Sequence, residues 1–310
     1  MMDVTIVGFG NVGSALSLLL LNNARALRLN IMEPDEQREG AFLDLAHGIH
    51  LYHEKELFVN NEELFLQADV IFFTAGTPNV HGGSRLSTAK QNSLLAKEIF
   101  APRTFVKTPW IIVITNPVDI VTQAVQRYSG VPASRVVGTG TFLDSVRLAH
   151  SLSSLSNHSA ADFDAVVLGE HGASQVPIYS LSKLNGKAIL DLPEFTPQCL
   201  DRAYILTRDA AFHIRETQKG TLYGVAKCAE VLMNFLLDEE THVLTLSALT
   251  NAYYRDLLNL EKDIYISMPV VVKNKKIELI NNIDLLDSEL EAYRKSAAIL
   301  CEVLEDTEID

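Results

Sequence analysis

The sequence predicts an α/β protein: a doubly wound parallel sheet followed by an α+β domain with antiparallel strands. In the first half, short strands that are apolar on both faces alternate with helical stretches, which is typical of a parallel sheet covered on two sides. After about residue 139, the strands alternate apolar and polar residues and the helical stretches lengthen. We therefore divide the 310 residues into domains of residues 1–138 and 139–310.

The strands of the first domain are short apolar runs, each followed by a turn or a helical stretch. The first run leads into a glycine turn and an apolar helix that ends near residue 24. The predicted strands are residues 4–7, 29–33, 69–74, 110–115 and 135–138.

The second domain is predicted to mix helices with antiparallel strands. Two helices cover residues 196–219 and 221–237, and a last helix begins near residue 286, with apolar residues at steps of three and four. The turn at Asn274-Lys275 joins the last two strands into a hairpin. The predicted strands are residues 163–168, 242–247, 263–272 and 276–280.

Composition excludes several classes of partner. The chain has 26 Lys and Arg against 39 Asp and Glu, a formal charge of −13, so it repels nucleic acid and anionic membrane surfaces. The apolar run at residues 15–21 is far shorter than the ~20 residues that span a bilayer. Three distant cysteines without a CxxC pattern fit a reduced compartment. We expect a globular, cytoplasmic protein without a membrane segment.

The turn after the first strand has the pattern G-x-G-x-x-G, formed by Gly8, Gly10 and Gly13. A strand before it and a helix after it are the context of a Rossmann-type dinucleotide site, in which the helix N-terminus receives the pyrophosphate. Glu33 ends the second strand, where a carboxylate binds the ribose hydroxyls and repels a 2′-phosphate, which favours NAD over NADP. The alternative is that the glycines only serve a tight turn.

Residues suited to acid–base chemistry follow predicted strand ends. His171 lies in Gly169-Glu-His-Gly172, after the strand 163–168. Asp144 and Arg147 are three residues apart on a predicted helix and therefore share a face. An aspartate fixes the tautomer of an imidazole, and an arginine presents a fork that suits a carboxylate. Asn116 ends another strand, and Gly82-Gly-Ser-Arg85 could form a loop that closes over a ligand.

These motifs, taken in order, resemble the L-lactate/malate dehydrogenase family over nearly the whole chain. The resemblance implies that His171 is the proton donor and acceptor with Asp144 as its partner. It also implies that Arg147 holds the substrate carboxylate and that Arg85, on a closing loop, polarises the substrate carbonyl. Asn116 would contact substrate and cofactor, and Thr221 would line the pocket. The implied NAD-binding residues are Gly8, Gly10, Asn11, Val12, Gly13, Glu33, Thr74, Ala75, Gly76 and Asn116. A homo-oligomer, tetramer or dimer, is implied as well.

In the family that the sequence resembles, substrate preference depends on the residue six positions before the arginine of the closing loop, and the resemblance places Asn79 there. Lactate dehydrogenases resemble one another in having glutamine there, and malate dehydrogenases in having arginine. Without a cation at Asn79, the second carboxylate of oxaloacetate would be buried unpaired, at a cost of several kcal/mol. We therefore expect a small 2-keto or 2-hydroxy acid with an apolar side chain, pyruvate and L-lactate first. Malate is the alternative if His81 supplies the charge.

Some positions depart from the family pattern. Ala173 stands where aspartate is common, and Ala149 stands where enzymes regulated by fructose bisphosphate have arginine. The stretch Lys219-Gly-Thr221 is one residue shorter than usual, which leaves the register of Thr221 open.

Three other readings stay open. A catalytically silent dinucleotide-binding protein could share the fold, although it would have no reason to keep the full set of reactive residues. An NAD-requiring glycosidase would need a metal-binding Cys/His pair, which the first domain lacks. His47, His50 and His53 recur every three residues, but Gly48 is expected to end their helix, so we expect no metal site.

Overall fold

The computed structural model describes residues 1–77, 88–218 and 221–307. Asn79, His81 and Arg85 lie outside the described residues, as do Lys219 and Gly220.

Strands and helices alternate through the first half of the chain, as the sequence predicts. The strands of the described residues are β1 Met2–Val7, β2 Leu27–Met32, β3 Lys55–Val59, β4 Val70–Phe73, β5 Trp110–Val113, β6 Val136–Gly138, β7 Phe163–Asp164, β8 Val167–Leu168, β9 Val176–Pro177, β10 Lys183–Leu184, β11 Lys187–Ala188, β12 His242–Leu249, β13 Tyr265–Lys273 and β14 Lys276–Leu279. The α-helices are α1 Asn11–Leu21, α2 Glu39–His47, α3 Glu62–Leu66, α4 Ala89–Phe100, α5 Val118–Ser129, α6 Phe142–Ser154, α7 Pro197–Gln218, α8 Tyr223–Leu237, α9 Ala252–Leu258 and α10 Asp287–Thr307.

One nine-stranded sheet runs through both halves of the chain, in the order β14-β13-β12-β6-β5-β4-β1-β2-β3. The six strands from β6 to β3 are parallel, and every residue of β4 and β5 is buried, as expected for a sheet covered on both faces. The antiparallel strands β12 to β14 extend this sheet, because Ser247 of β12 pairs with Gly138 at the end of β6. The predicted fold class is confirmed.

Two strand predictions differ from the structure. The predicted strand 163–168 is two short strands, because β7 pairs with β10 while β8 pairs with β9. Between them, the N–H of Val166 donates to the hydroxyl of Ser182 rather than to a strand. The edge strand β3 was not predicted, since it begins with Lys55 and Glu56 and its apolar run is limited to Leu57-Phe-Val59.

The main apolar core is continuous across the sheet and the C-terminal elements. It includes Phe73 of β4, Ile112 of β5, Leu168 of β8, Leu232 of α8 and Leu300 of α10, each fully buried. A smaller core packs α6 against α7 and β7. Leu148, Ala149 and Leu152 of α6 belong to this smaller core, and residues 169–175 connect β8 to β9 next to it.

Candidate active site

The glycine turn brings the end of β1 close to the end of β4. Gly8 has a φ of +97°, and a Cβ there would lie 2.6 Å from the backbone of Ala75. A Cβ on Gly13 would lie 2.1 Å from the carbonyl oxygen of Gly8. The hydroxyl of Thr74 donates to that same carbonyl over 2.7 Å. Both glycines are therefore required by close backbone approach, and not merely tolerated in a turn.

The surroundings of Gly10 are different, because a Cβ there would meet nothing within 4 Å. Gly10 precedes α1, whose N-terminus has no side-chain cap, and Asn11 and Val12 form its first turn. The first N–H groups of a helix have no partner within it and attract anions. Open space beside uncapped amides fits the pyrophosphate of a dinucleotide.

Glu33 follows β2 and faces the same turn. Its Oε2 accepts a hydrogen bond from the N–H of Phe9 over 2.7 Å, and its Oε1 accepts one from the N–H of Asp35 over 3.0 Å. A cavity of about 390 Å³ adjoins the carboxylate, with Phe9, Arg38 and Phe42 among its lining residues. The carboxylate is thus held between the glycine turn and a cavity, a position that fits the ribose end of a dinucleotide.

Asn92 of α4 connects the ends of β4 and β5, and the sequence analysis missed it. Its Oδ1 accepts a hydrogen bond from the N–H of Thr77, and its Nδ2 donates to the carbonyl oxygen of Asn116 over 2.6 Å. Next to this contact, a Cβ on Gly76 would lie 2.5 Å from the Thr115 side chain. The buried Oδ1 of Asn116 has no hydrogen-bond partner among the described residues, so it can accept one from a ligand. The only sequence signal for Asn92 is a polar residue among the buried positions of α4.

The structure brings His171, Asp144 and Arg147 into direct contact. His171 Nδ1 lies 2.6 Å from Asp144 Oδ2, and Arg147 Nη1 donates to Asp144 Oδ1 over 3.1 Å. The side chain of Asp144 is 2 % exposed, while those of His171 and Arg147 are 12 % exposed. The carboxylate is therefore buried behind the His171 and Arg147 side chains, and the imidazole and guanidinium still reach solvent.

The loop that carries His171 is hydrogen-bonded to β13 of the large sheet. Gly169 exchanges two backbone hydrogen bonds with Ser267 of β13, and the N–H of Glu170 donates to the hydroxyl of Ser296. The N–H of His171 donates to Asp119 Oδ2 over 2.9 Å. These contacts place the imidazole near the carboxyl ends of β5 and β6, the edge that also carries the glycine turn.

Asp119 is a site residue that sequence reasoning did not single out, although it lies only three residues after Asn116. It is 2 % exposed, and its Oδ1 has no hydrogen-bond partner among the described residues. Burial raises the pKa of its carboxyl from 3.8 to about 7, a shift opposed in part by the hydrogen bond from the His171 N–H. Asp119 therefore titrates near neutral pH directly beneath the backbone of His171.

Thr221 lies between α7 and α8, partly buried. No hydrogen bond among the described residues joins it to His171, Asp144 or Arg147. Of the other residues that the sequence placed in the substrate site, Arg85 and Asn79 lie outside the described residues.

The histidines at 47, 50 and 53 form no three-ligand group in the described part of the chain. The helix α2 ends at His47, as expected from Gly48, and all three side chains are exposed. A group of potential ligands occurs instead at Asp238, Glu240 and His242, where His242 Nε2 forms an ion pair with Asp238 over 3.0 Å.

Among the described residues, no helix is long and apolar enough to cross a membrane.

The fold and the site together define a class, the dinucleotide-binding dehydrogenases, in which a glycine turn and a histidine–aspartate pair lie at the same edge of a sheet. Two family models cover almost the whole chain. Residues 2–138 match the lactate/malate dehydrogenase NAD binding domain, and residues 141–309 match the lactate/malate dehydrogenase alpha/beta C-terminal domain. The chain belongs to the lactate/malate dehydrogenase family and is therefore an enzyme of the dehydrogenase class with NAD as its cofactor.

Individual relatives agree with this assignment. The chain is similar to L-lactate dehydrogenase 2 of Peribacillus psychrosaccharolyticus, with 32% identity over 308 residues, 97% of this chain and 95% of that protein. It is similar in structure to the minor L-lactate dehydrogenase of Enterococcus mundtii, with a TM-score of 0.89, 28% identity and coverage of 100% and 99% of the two chains. Malate dehydrogenase of Cryptosporidium parvum gives a TM-score of 0.88 at 25% identity, covering 99% of each chain.

Proposed function

We propose that this protein is an NAD-dependent L-2-hydroxy acid dehydrogenase of the lactate type. Its substrate is pyruvate, or a 2-keto acid with a larger apolar side chain. The observation that carries the proposal is the cluster of His171, Asp144 and Arg147, in which a buried carboxylate contacts both a histidine and an arginine. These side chains are the groups needed to bind a substrate carboxylate and to protonate the oxygen next to it.

His171 is the general acid and base of the proposed reaction. Bound NADH supplies the hydride that reduces the keto carbon. Because Asp144 engages Nδ1, the proton passes between Nε2 of His171 and the oxygen of the substrate. The carboxylate of Asp144 stabilises the imidazolium and keeps the ring in the tautomer that this transfer requires. In the reverse direction, neutral His171 takes the hydroxyl proton.

Arg147 binds the substrate carboxylate in this proposal. One of its nitrogens donates to Asp144, which fixes the guanidinium, while its partial exposure leaves other N–H groups directed away from the buried carboxylate. A fixed guanidinium binds a carboxylate in a defined orientation and so places the keto group against His171. By resemblance, Arg85 stabilises the negative charge on the carbonyl oxygen and Thr221 lines the pocket.

The first test measures NADH oxidation at 340 nm with pyruvate, 2-ketoisocaproate and oxaloacetate in parallel. We expect pyruvate or 2-ketoisocaproate to be reduced with a kcat/KM well above that of oxaloacetate, because Asn79 supplies no cation for a second carboxylate. A preference for oxaloacetate would replace the lactate type by malate dehydrogenase. NADH binding without turnover of any of the three would favour the catalytically silent protein.

The roles of the site residues are tested by His171→Asn and Arg147→Leu. The first should lower kcat by at least about a thousandfold, because it removes the proton donor. The second should raise KM and also lower kcat, because the substrate loses both binding and orientation. Both variants should bind NADH normally, as measured by fluorescence. The matched control is His150→Gln, which changes an exposed histidine on α6 and should leave the rate unchanged.

Three further expectations stay predictions: the division at residue 138, a cytoplasmic location and a homo-oligomer. Analytical ultracentrifugation tests the last of these, and a purely monomeric species would contradict it.

A further inference from the structure

Gln175 occupies the same loop as the reacting histidine, just before β9. It is 5 % exposed, and the sequence analysis gave it no role. Because β8 and β9 pair as an antiparallel hairpin, residues 169–175 form the connection, which brings Gln175 and His171 to the same side of α6.

The side-chain amide of Gln175 faces the carboxylate of Asp144. Its nitrogen lies 3.3 Å from each of the two carboxylate oxygens. The orientation of an amide follows from its hydrogen-bond partners. Since both oxygens of an ionised carboxylate can only accept, the amide nitrogen faces Asp144 and donates to it.

The backbone of Gln175 is held from the opposite side by α7. The hydroxyl of Tyr204 donates to the carbonyl oxygen of Gln175 over 2.7 Å. On the other flank, the N–H and hydroxyl of Ser174 donate to Glu170 Oε2 over 3.0 and 2.6 Å. A loop fixed at Gln175 and at the residue before it keeps the amide in place while the reaction proceeds.

Asp144 therefore has donors from three directions: the imidazole of His171, the guanidinium of Arg147 and the amide of Gln175. We propose that Gln175 is a positioning residue, whose amide orients the carboxylate of Asp144 and limits how strongly that carboxylate holds the proton on His171. This inference rests on the proposed function and deepens it, because it concerns the proton affinity of the group that transfers the proton.

The physical reason lies in how a carboxylate shares its charge among its donors. Each donor to Asp144 lowers the electron density available to the imidazolium. Loss of the amide donor leaves more negative charge facing His171 Nδ1, so the protonated ring is stabilised and the pKa of His171 rises. Loss of the donor also frees the carboxylate to rotate, which lowers kcat more than it changes KM.

Other ionisable groups surround the pair in the described structure, and each stays in place when Gln175 is changed. Glu170 lies in the same loop, and Asp119 of α5 accepts the backbone N–H of His171. Tyr204 of α7 and Cys228 of α8 face Asp144, and burial raises the pKa of both. The pKa of Cys228 is about 12, so its thiol stays neutral throughout the working range, as does the Tyr204 phenol.

The test compares Gln175→Met, which keeps the length of the side chain without the donor, with the wild-type enzyme. The control is Gln126→Met, which removes a partly buried glutamine from α5, away from this site. The titration of His171 is followed by NMR with isotope-labelled histidine, and His171→Asn identifies its signal. The pH profile of kcat/KM for pyruvate reduction is recorded in parallel.

For Gln175→Met, we expect the midpoint of the His171 titration to rise by about 0.5 to 1 pH unit, with no change in the control. Since reduction needs protonated His171, the alkaline limb of the kinetic profile should move upward by the same amount. We also expect kcat to fall about tenfold with KM nearly unchanged. Gln175→Glu has the same shape but adds a second carboxylate, so it should raise the midpoint of the His171 titration further. This variant replaces Gln175→Met in the test if the methionine variant does not fold.

An unchanged or lowered midpoint in a folded Gln175 variant would overturn the inference. The titration also separates the two proposals. A raised midpoint in a protein that reduces no 2-keto acid would refute the proposed function and support the pairing of Gln175 with Asp144. An active enzyme with an unshifted midpoint would support the proposed function and refute the role of Gln175.

Discussion

The buried carboxyl of Asp119 makes the stability of this protein depend on pH. Its pKa rises from 3.8 to about 7 because folding removes the group from water, and the negative charge of nearby Glu170 adds to the shift. Between about pH 4 and pH 7, folded Asp119 keeps a proton that the unfolded chain has lost. The contribution of Asp119 to the free energy of unfolding therefore falls as pH rises from about 4 to about 7. Above pH 7, Asp119 is ionised in the folded protein and the full cost of burying its charge is present.

The size of the effect follows from the shift in pKa. A difference of about three units, at 1.36 kcal/mol each, corresponds to at most about 4 kcal/mol. Asp119→Asn removes the titration, while its side-chain oxygen can still accept the N–H of His171, which now spans 2.9 Å to Oδ2. We therefore expect the variant to gain stability relative to wild type as pH rises from 4 to 8, by about 2 to 4 kcal/mol across the range.

Urea unfolding of both proteins at half-unit pH steps measures this difference directly. The matched control is Asp256→Asn on α9, an exposed aspartate whose replacement should leave the pH profile of stability unchanged. If wild type and Asp119→Asn showed parallel stability curves from pH 4 to 8, Asp119 would be ionised throughout and the argument from burial would be wrong.

Three further predictions concern the cofactor side of the site. Gly13→Ala should weaken NADH binding at least about tenfold by fluorescence titration, because its Cβ would lie 2.1 Å from the Gly8 carbonyl oxygen; normal affinity would contradict the close approach. Glu33→Ala should lower the ratio of kcat/KM with NADH to kcat/KM with NADPH by about tenfold or more, because it removes the charge that repels a 2′-phosphate. Steady-state kinetics with both cofactors measure this ratio. An unchanged ratio would mean that Glu33 does not select the cofactor. Asn92→Ala should lower the free energy of unfolding by about 2 kcal/mol, because the N–H of Thr77 and the carbonyl oxygen of Asn116 lose their hydrogen-bond partner. Urea unfolding measures this difference. An unchanged free energy of unfolding would mean that water replaces the lost side chain.

Much of the fold could be predicted because its signals are local. The strands β4 and β5 are short runs without polar residues, and the glycine turn after β1 has a pattern whose spacing reflects backbone contacts. The edge strand β3 was not predicted, since it is half-exposed and begins with two charged residues, so that only the short apolar run Leu57-Phe-Val59 marks it. The break in the strand at residues 163–168 was also invisible, because both pieces are strands and only their partners differ.

The candidate site was predictable to the extent that its residues carry reactive groups in recognisable motifs. His171, Asp144 and Arg147 could be named from spacing and resemblance, and the structure places them in contact. The residues that hold them could not be named in this way. Asp119 and Gln175 are ordinary polar residues in sequence, and their significance comes from burial and from partners 52 and 31 positions away.

The sequence by itself determined the α/β class, the glycine turn, the acidic residue after β2, and the candidate histidine with its aspartate and arginine partners. These features depend on residue type, local spacing and periodicity, all of which can be read directly from the sequence. Only the tertiary structure decided that the C-terminal strands continue the parallel sheet, that the buried carboxyl of Asp119 accepts the backbone N–H of His171, and that the buried amide of Gln175 faces Asp144. The physical reason is that hydrogen bonding and desolvation act between groups brought together by folding, whatever their separation in sequence.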